Sequence, residues 1–150
     1  MNNGIAALSE VQRPDIGEIM AGGYTYYWSG RSDGYLAQGV AVAVSNELTP
    51  MIIIEVTPVN EHAMRLRIYH SLGVISLVSV YATTEASDLT VKDAFYATLK
   101  SVVDQCPRRD TLLTFGDFNA STGTDRDGYE TCVGPRGSGT VNLNKGPVTP

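Results

Sequence analysis

The chain has 150 residues, 43% of them apolar and 18% charged, and a net charge of -5. That length suffices for one domain with a buried core, and the apolar periodicity along most of it excludes a disordered chain. The acidic balance argues against tight non-specific nucleic-acid binding, which rests on lysine and arginine neutralising phosphates. It leaves room for a metal-dependent phosphoesterase, whose site needs carboxylates and whose bound cation inverts the local field.

In chain order, Ile5-Ala6-Ala7-Leu8 reads as a short buried strand with Glu10 at its tip. Residues Arg13 to Gly23 hold Pro14, Gly17, Gly22 and Gly23 and are expected to form a loop. Tyr24 to Trp28 is aromatic and β-prone. The polar stretch Ser29 to Gly34 is a loop in which Arg31 and Asp33 are expected to be solvated, and Gly39 to Ser45 is a further strand. Met51 to Thr57, Met64 to Tyr69 and Gly73 to Tyr81 read as strands joined by hairpins, the last apolar enough to be central.

At 91–103 the period changes. Val91, Ala94, Phe95, Leu99, Val102 and Val103 recur at helical spacing, Asp88 or Thr90 is placed to cap the start, and Pro107 lies beyond the end. Thr111 to Phe115 is a strand that runs into Gly116-Asp117-Phe118-Asn119. Residues 121–150, with six glycines and three prolines, carry no periodic pattern and read as a Gly/Pro-rich loop or poorly ordered tail behind a core at 1–120. The class is α/β (α+β) with a mostly antiparallel or mixed sheet.

Two cysteines, Cys106 and Cys132, stand in no metal-binding spacing. No basic stretch followed by a long apolar run opens the chain, and nothing approaches the ~20 apolar residues of a membrane span. The expectation is an intracellular protein of nucleus or cytoplasm with free thiols and no membrane partner.

The sharpest chemical feature is Gly116-Asp117-Phe118-Asn119. In an extended backbone, residues two apart share a side. Asp117 and Asn119 would then face one site while Phe118 enters the core. A carboxylate able to deprotonate water and an amide able to contact phosphate would stand together. The bland alternative is an Asp-x-Asn turn closing a strand. Glu10, at another strand tip, suits a hard cation such as Mg²⁺, or is simply exposed. Tyr81, at the end of the central strand, either donates a hydrogen bond to a phosphate or is a rim aromatic packing on the core. His62 and His70 read as surface or strand-edge residues.

The order of these pieces resembles the endonuclease/exonuclease/phosphatase superfamily, more narrowly its retrotransposon-derived, craniofacial development protein 2-like branch. The stretches that carry the likeness are Ala6 to Val11, Tyr27 to Gly34, Ser79-Val80-Tyr81-Ala82 and Gly116 to Ala120. The resemblance implies part of a two-sheet β-sandwich flanked by helices, Mg²⁺ (or Mn²⁺) as cofactor and DNA as substrate. It further implies Glu10 as metal ligand, Asp117 to position or activate water, Asn119 to orient the phosphate and Tyr81 to contact it. The branch also has an Asn-bearing first strand and a terminal Asp-His pair. Neither is evident here, and the branch's Tyr-Ala-Pro is Tyr81-Ala82-Thr83. The expectation is therefore a domain truncated at both ends and impaired in Mg²⁺-dependent phosphodiester hydrolysis. An inactive fragment of mobile-element origin and a phosphatase of the same fold are the alternatives.

Overall fold

The computed structural model describes residues 4–120, so the expected tail at 121–150, with Cys132, lies outside the described residues. Within them the strands are β1 (Ile5–Ser9), β2 (Ile16–Ala21), β3 (Tyr24–Ser29), β4 (Val40–Ser45), β5 (Ile53–Asn60), β6 (Ala63–His70), β7 (Gly73–Tyr81) and β8 (Thr111–Asp117). A 3₁₀ turn, Thr49–Met51, precedes β5, and the helix α1 spans Leu89–Asp104 between β7 and β8. The strands form two four-stranded sheets, β1-β4-β3-β2 and β5-β6-β7-β8. All pairs are antiparallel except β7 with β8, which are parallel through the α1 crossover. The two-sheet α+β architecture implied by the resemblance is present, with one α-helix among the described residues.

Strand alternation builds the core between the sheets. Val40, Val42 and Val44 of β4 meet Met64, Leu66 and Ile68 of β6 and Leu77 and Tyr81 of β7. The opposite face of β7 sends Val78 and Val80 against Phe95 and Val102 of α1. A buried valine stabilises by about 1.5–3 kcal/mol, against a net of about 0.5–1.5 kcal/mol for a typical hydrogen bond. No ladder joins the two sheets, so this packing is what holds them face to face.

Three expectations are corrected. The segment read as a loop, Arg13 to Gly23, contains β2, which pairs with β3 from Ile16–Ser29 to Ala21–Tyr24. Gly22 and Gly23 are the two-residue turn of that hairpin, at φ of 58° and 82°, as a type I′ connection requires. Strand β1 is not buried but half-buried, with Leu8 38% exposed, because it lies at a sheet edge with β4 as its partner. The buried face of α1 also differs from the expected one at its first turn. It runs through Lys92, Phe95, Leu99 and Val102, while Val91 and Ala94 are exposed. Lys92 tolerates burial because its ammonium donates to the Glu85 carbonyl at 2.6 Å. Asp88 occupies the N-cap position without a side-chain capping bond.

Two contacts fix β8 against β7. At its start, the enclosed Asp110 carboxylate accepts from Arg67 Nε at 2.8 Å and Nη2 at 3.2 Å and from Ser76 Oγ at 2.8 Å. Near its end, Gly116 sits at φ 145° with its backbone against Val80, where an added Cβ would lie 1.9 Å from the Val80 carbonyl oxygen. Gly116→Ala is expected to cost about 2–4 kcal/mol, from strain and overpacking together; an unchanged urea midpoint would count against this packing. The Arg67 hydrogen bond holds Asp110 below its ordinary pKa of 3.8, with Ser76 and the neighbouring charges of Arg67 and Arg109 acting the same way against burial. Its contribution to stability is thus present above pH 3.8 and lost as acid protonates the folded carboxylate. Thermal unfolding at pH 6 and pH 3 should show a smaller acid loss in Asp110→Asn than in the unmodified chain.

Candidate active site at the strand tips

One end of the sandwich gathers the tips of β1, β7 and β8. The parallel register sets Tyr81 of β7 beside Asp117 of β8, and the Tyr81 hydroxyl donates to Glu10 Oε1 at 2.8 Å. Glu10 follows β1 and lies in the left-handed region at φ 53°, which costs a non-glycine residue on the order of 1–3 kcal/mol. Main-chain bonds hold the segment there, from Val11 N to Gly39 O at 3.3 Å and from Gln12 N to Gln38 O at 2.9 Å. Glu10 and Asp117 are exposed, whereas Tyr81 is 9% exposed.

Burial pushes the Tyr81 phenol above its ordinary 10.0, and the bond to Glu10 and the negative charges of Glu10 and Asp117 push it the same way. Both carboxylates therefore bear on one phenol. The sign follows directly: a proton held more tightly in the folded chain stabilises it below pH 10.0, and that contribution disappears as pH rises beyond the folded value.

The Asp117–Asn119 segment combines the two readings open to it. Strand β8 ends at Asp117, and Asn119 turns left-handed at φ 45°. Asp117 Oδ1 accepts the Asn119 main-chain N–H at 2.8 Å, which is the Asx turn of the bland alternative. The extended spacing that would aim the two side chains alike thus stops at Asp117. Asn119 instead reaches the site by its amide, with Nδ2 donating to the Ala82 carbonyl, next to Tyr81, at 2.7 Å. Phe118 packs on the α1 side of the second sheet, as expected.

His62 was set aside by sequence reasoning and belongs here. It is half-buried, its Nδ1 lies 2.7 Å from the Tyr81 carbonyl oxygen, and its own carbonyl accepts the Tyr81 N–H at 2.9 Å. The signal available was the hairpin register: pairing Ala63 with Val80 brings His62 beside Tyr81. His70, in contrast, is exposed at the far end of β6, where its ring bonds Leu72 N. Arg31 and Asp33 are solvated, as expected, and are also paired with each other. Nε and Nη2 of Arg31 grip Asp33, Nη1 reaches Gln38 Oε1 at 3.3 Å, and the Arg31 hydrogen bond draws the Asp33 carboxyl down to about 2.

Among the described residues no three His, Cys, Asp or Glu side chains form a ready-made metal cage. Mg²⁺ does not require one. It keeps several waters and takes one or two protein carboxylates together with substrate oxygens. Glu10 and Asp117 supply hard oxygen donors beside Tyr81, a donor chemistry compatible with such an ion.

No known family's sequence profile matches the chain. The sequence is 26% identical over 124 residues to craniofacial development protein 2 of Tragulus javanicus and, at the same level, to that of Bos taurus. The chain is similar to craniofacial development protein 2. That likeness agrees with the resemblance read from the sequence. It covers 83% of this chain but 21% of each craniofacial development protein 2 sequence, so the chain spans about a fifth of the length of these relatives. A solved structure, the inositol polyphosphate 5-phosphatase domain of SpSynaptojanin in complex with inositol (1,4)-bisphosphate and calcium ion, matches with a TM-score of 0.35. It is 14% identical and overlaps 74% of this chain and 36% of that one, too loosely to transfer any residue. Among the described residues no helix is long and apolar enough to cross a membrane.

Removing the charge of Glu10 should bring the Tyr81 phenol part of the way back toward 10.0, because burial remains. Alkaline titration of Tyr81 by carbon-13 NMR in Glu10→Gln is the check, and an unmoved titration would mean that the Glu10 contact is not made in solution.

Proposed function

We propose that the strand tips form a divalent-metal phosphodiesterase site of the endonuclease/exonuclease/phosphatase type, with DNA as substrate. One observation carries this reading: Glu10, which accepts the Tyr81 hydroxyl at 2.8 Å, and Asp117, which the parallel register sets beside Tyr81, bring carboxylates from the tips of the two sheets to one phenol. A bound Mg²⁺ or Mn²⁺, held by Glu10, would supply charge neutralisation at a phosphoryl oxygen. Asp117, exposed at the tip of β8, accepts a proton from the attacking water. Tyr81 stays protonated through the neutral range, because its pKa lies above 10.0, and donates to a phosphate oxygen in exchange for Glu10. Asn119, with one amide N–H fixed to Ala82, presents a pre-oriented amide to the same phosphate.

A second reading is an inactive fold relative that retains the frame without turnover. It is favoured by the engagement of both carboxylates within the fold, Glu10 Oε1 by the Tyr81 hydroxyl and Asp117 Oδ1 by the Asn119 main-chain N–H. Incubation with supercoiled plasmid and Mg²⁺ separates the two. The first reading expects nicking that Asp117→Ala reduces about 10²–10⁴-fold, the usual effect of losing one proton-transfer group. Nicking absent, or unchanged in Asp117→Ala, sinks it. Release of inorganic phosphate from a phosphomonoester, without nicking, would identify a phosphatase instead.

A further inference from the structure

We propose that His62 is a positioning residue for Tyr81, fixing the peptide that carries the phenol so that its hydroxyl meets Glu10. The inference rests on the reading of Tyr81 as part of the site. The ladder between β6 and β7 runs from His70–Gly73 to Ala63–Val80 and stops one residue short of Tyr81. Past that point the peptide groups around Tyr81 need other partners, since a buried main-chain oxygen left without one costs on the order of 1–3 kcal/mol. His62 supplies two. Its carbonyl takes the Tyr81 N–H, and its ring nitrogen Nδ1 takes the Tyr81 carbonyl oxygen at 2.7 Å.

A carbonyl oxygen only accepts, so Nδ1 carries the hydrogen. The neutral ring is the Nδ1–H tautomer, and the imidazolium makes the same bond, so the grip survives either protonation state. The ring is itself located. It lies nearly parallel to the Tyr81 ring, with centroids 6.1 Å apart and planes 20° apart, and edge-on to Phe95 at 77°. Below it, Asn60 Oδ1 accepts both the His62 and the Ala63 main-chain N–H, at 2.9 and 3.0 Å, closing the turn that presents the imidazole. On the other side of Tyr81, Ala82 N donates to the Asp117 carbonyl at 2.8 Å. Tyr81 is thus clamped between the β5–β6 turn and β8, and His62 is the side chain that clamps it from the turn.

Three variants separate the donor from the ring. His62→Asn keeps an N–H close to the Nδ1 position, His62→Gln moves it away, and His62→Phe keeps a stacking ring without a donor. The readout is the flip rate of the Tyr81 ring by NMR in the whole chain, with nitrogen-15 shifts reporting the His62 tautomer in the unmodified protein. The expected result is an Nδ1–H tautomer, slow flipping in the unmodified chain and in His62→Asn, and flipping at least ~10-fold faster in His62→Gln and His62→Phe. Plasmid nicking should follow, with kcat down about 10–100-fold in those two variants, KM unmoved and His62→Asn restored, as for loss of a group that orients a site residue. An Nε2–H tautomer, or a flip rate equal in all four proteins, overturns the proposal. Should the variants fail to fold, the tautomer of the unmodified chain decides alone. Absence of nicking throughout would defeat the proposed function while the ring dynamics still judged His62.

Discussion

The hydrogen bond from Tyr81 to Glu10 is the contact on which the arrangement at the strand tips depends, because it ties the two sheets together at their rim. Sheets packed face to face stand roughly 10 Å apart, and Tyr81 is long enough to carry a hydroxyl from β7 to the end of β1. A hydrogen bond to a charged group contributes about 1.5–3 kcal/mol, comparable to the cost of the left-handed backbone at Glu10. Neither the bond nor the main-chain anchors at Val11 and Gln12 would be expected to hold Glu10 in place alone. Its position is the product of both.

On the β8 side, strand ending and chemistry are one event. Asp117 closes the ladder with β7, caps the turn through Asn119 N, and leaves Asn119 bonded to the carbonyl next to Tyr81. A turn and a site are usually weighed as rivals when a short Asp-x-Asn is met. Here the turn is the means by which the amide arrives at the site. Gly116 is its precondition, since it lets β8 approach Val80 closely enough for Tyr81 and Asp117 to stand side by side.

How far this was legible from residue order varies with the source of the signal. The period-two runs of Gly39–Ser45, Met64–Tyr69 and Gly73–Tyr81 are dictated by burial of one or both faces and read correctly within a residue or two. Strand β2 was hidden, because its hydrogen-bond partner β3 lies beyond two glycines whose role is the turn itself. The face of α1 was read correctly at Phe95, Leu99 and Val102 and wrongly at its first turn, because Lys92 counts as polar in any periodicity while it is buried. Strand β5 runs past Pro58 to Asn60, which an edge strand with a bulge permits. At the site, Glu10, Tyr81 and Asp117 were findable as strand-end residues. His62 carried no local motif, and its one signal was the hairpin register that sets it beside Tyr81.

The two borders of the second sheet are unlike each other. Strand β5 carries Pro58 and an irregular register near Asn60, features that discourage another strand from adding to it. Strand β8, the opposite border among the described residues, holds no proline and no charge from Thr111 to Gly116, and its Leu112 and Leu113 are 41% and 46% exposed. Among the described residues its hydrogen-bonded neighbour is β7 alone. Among the described residues, the ribbon that carries Asp117 is therefore hydrogen-bonded along one side only, and its placement is inherited from β7.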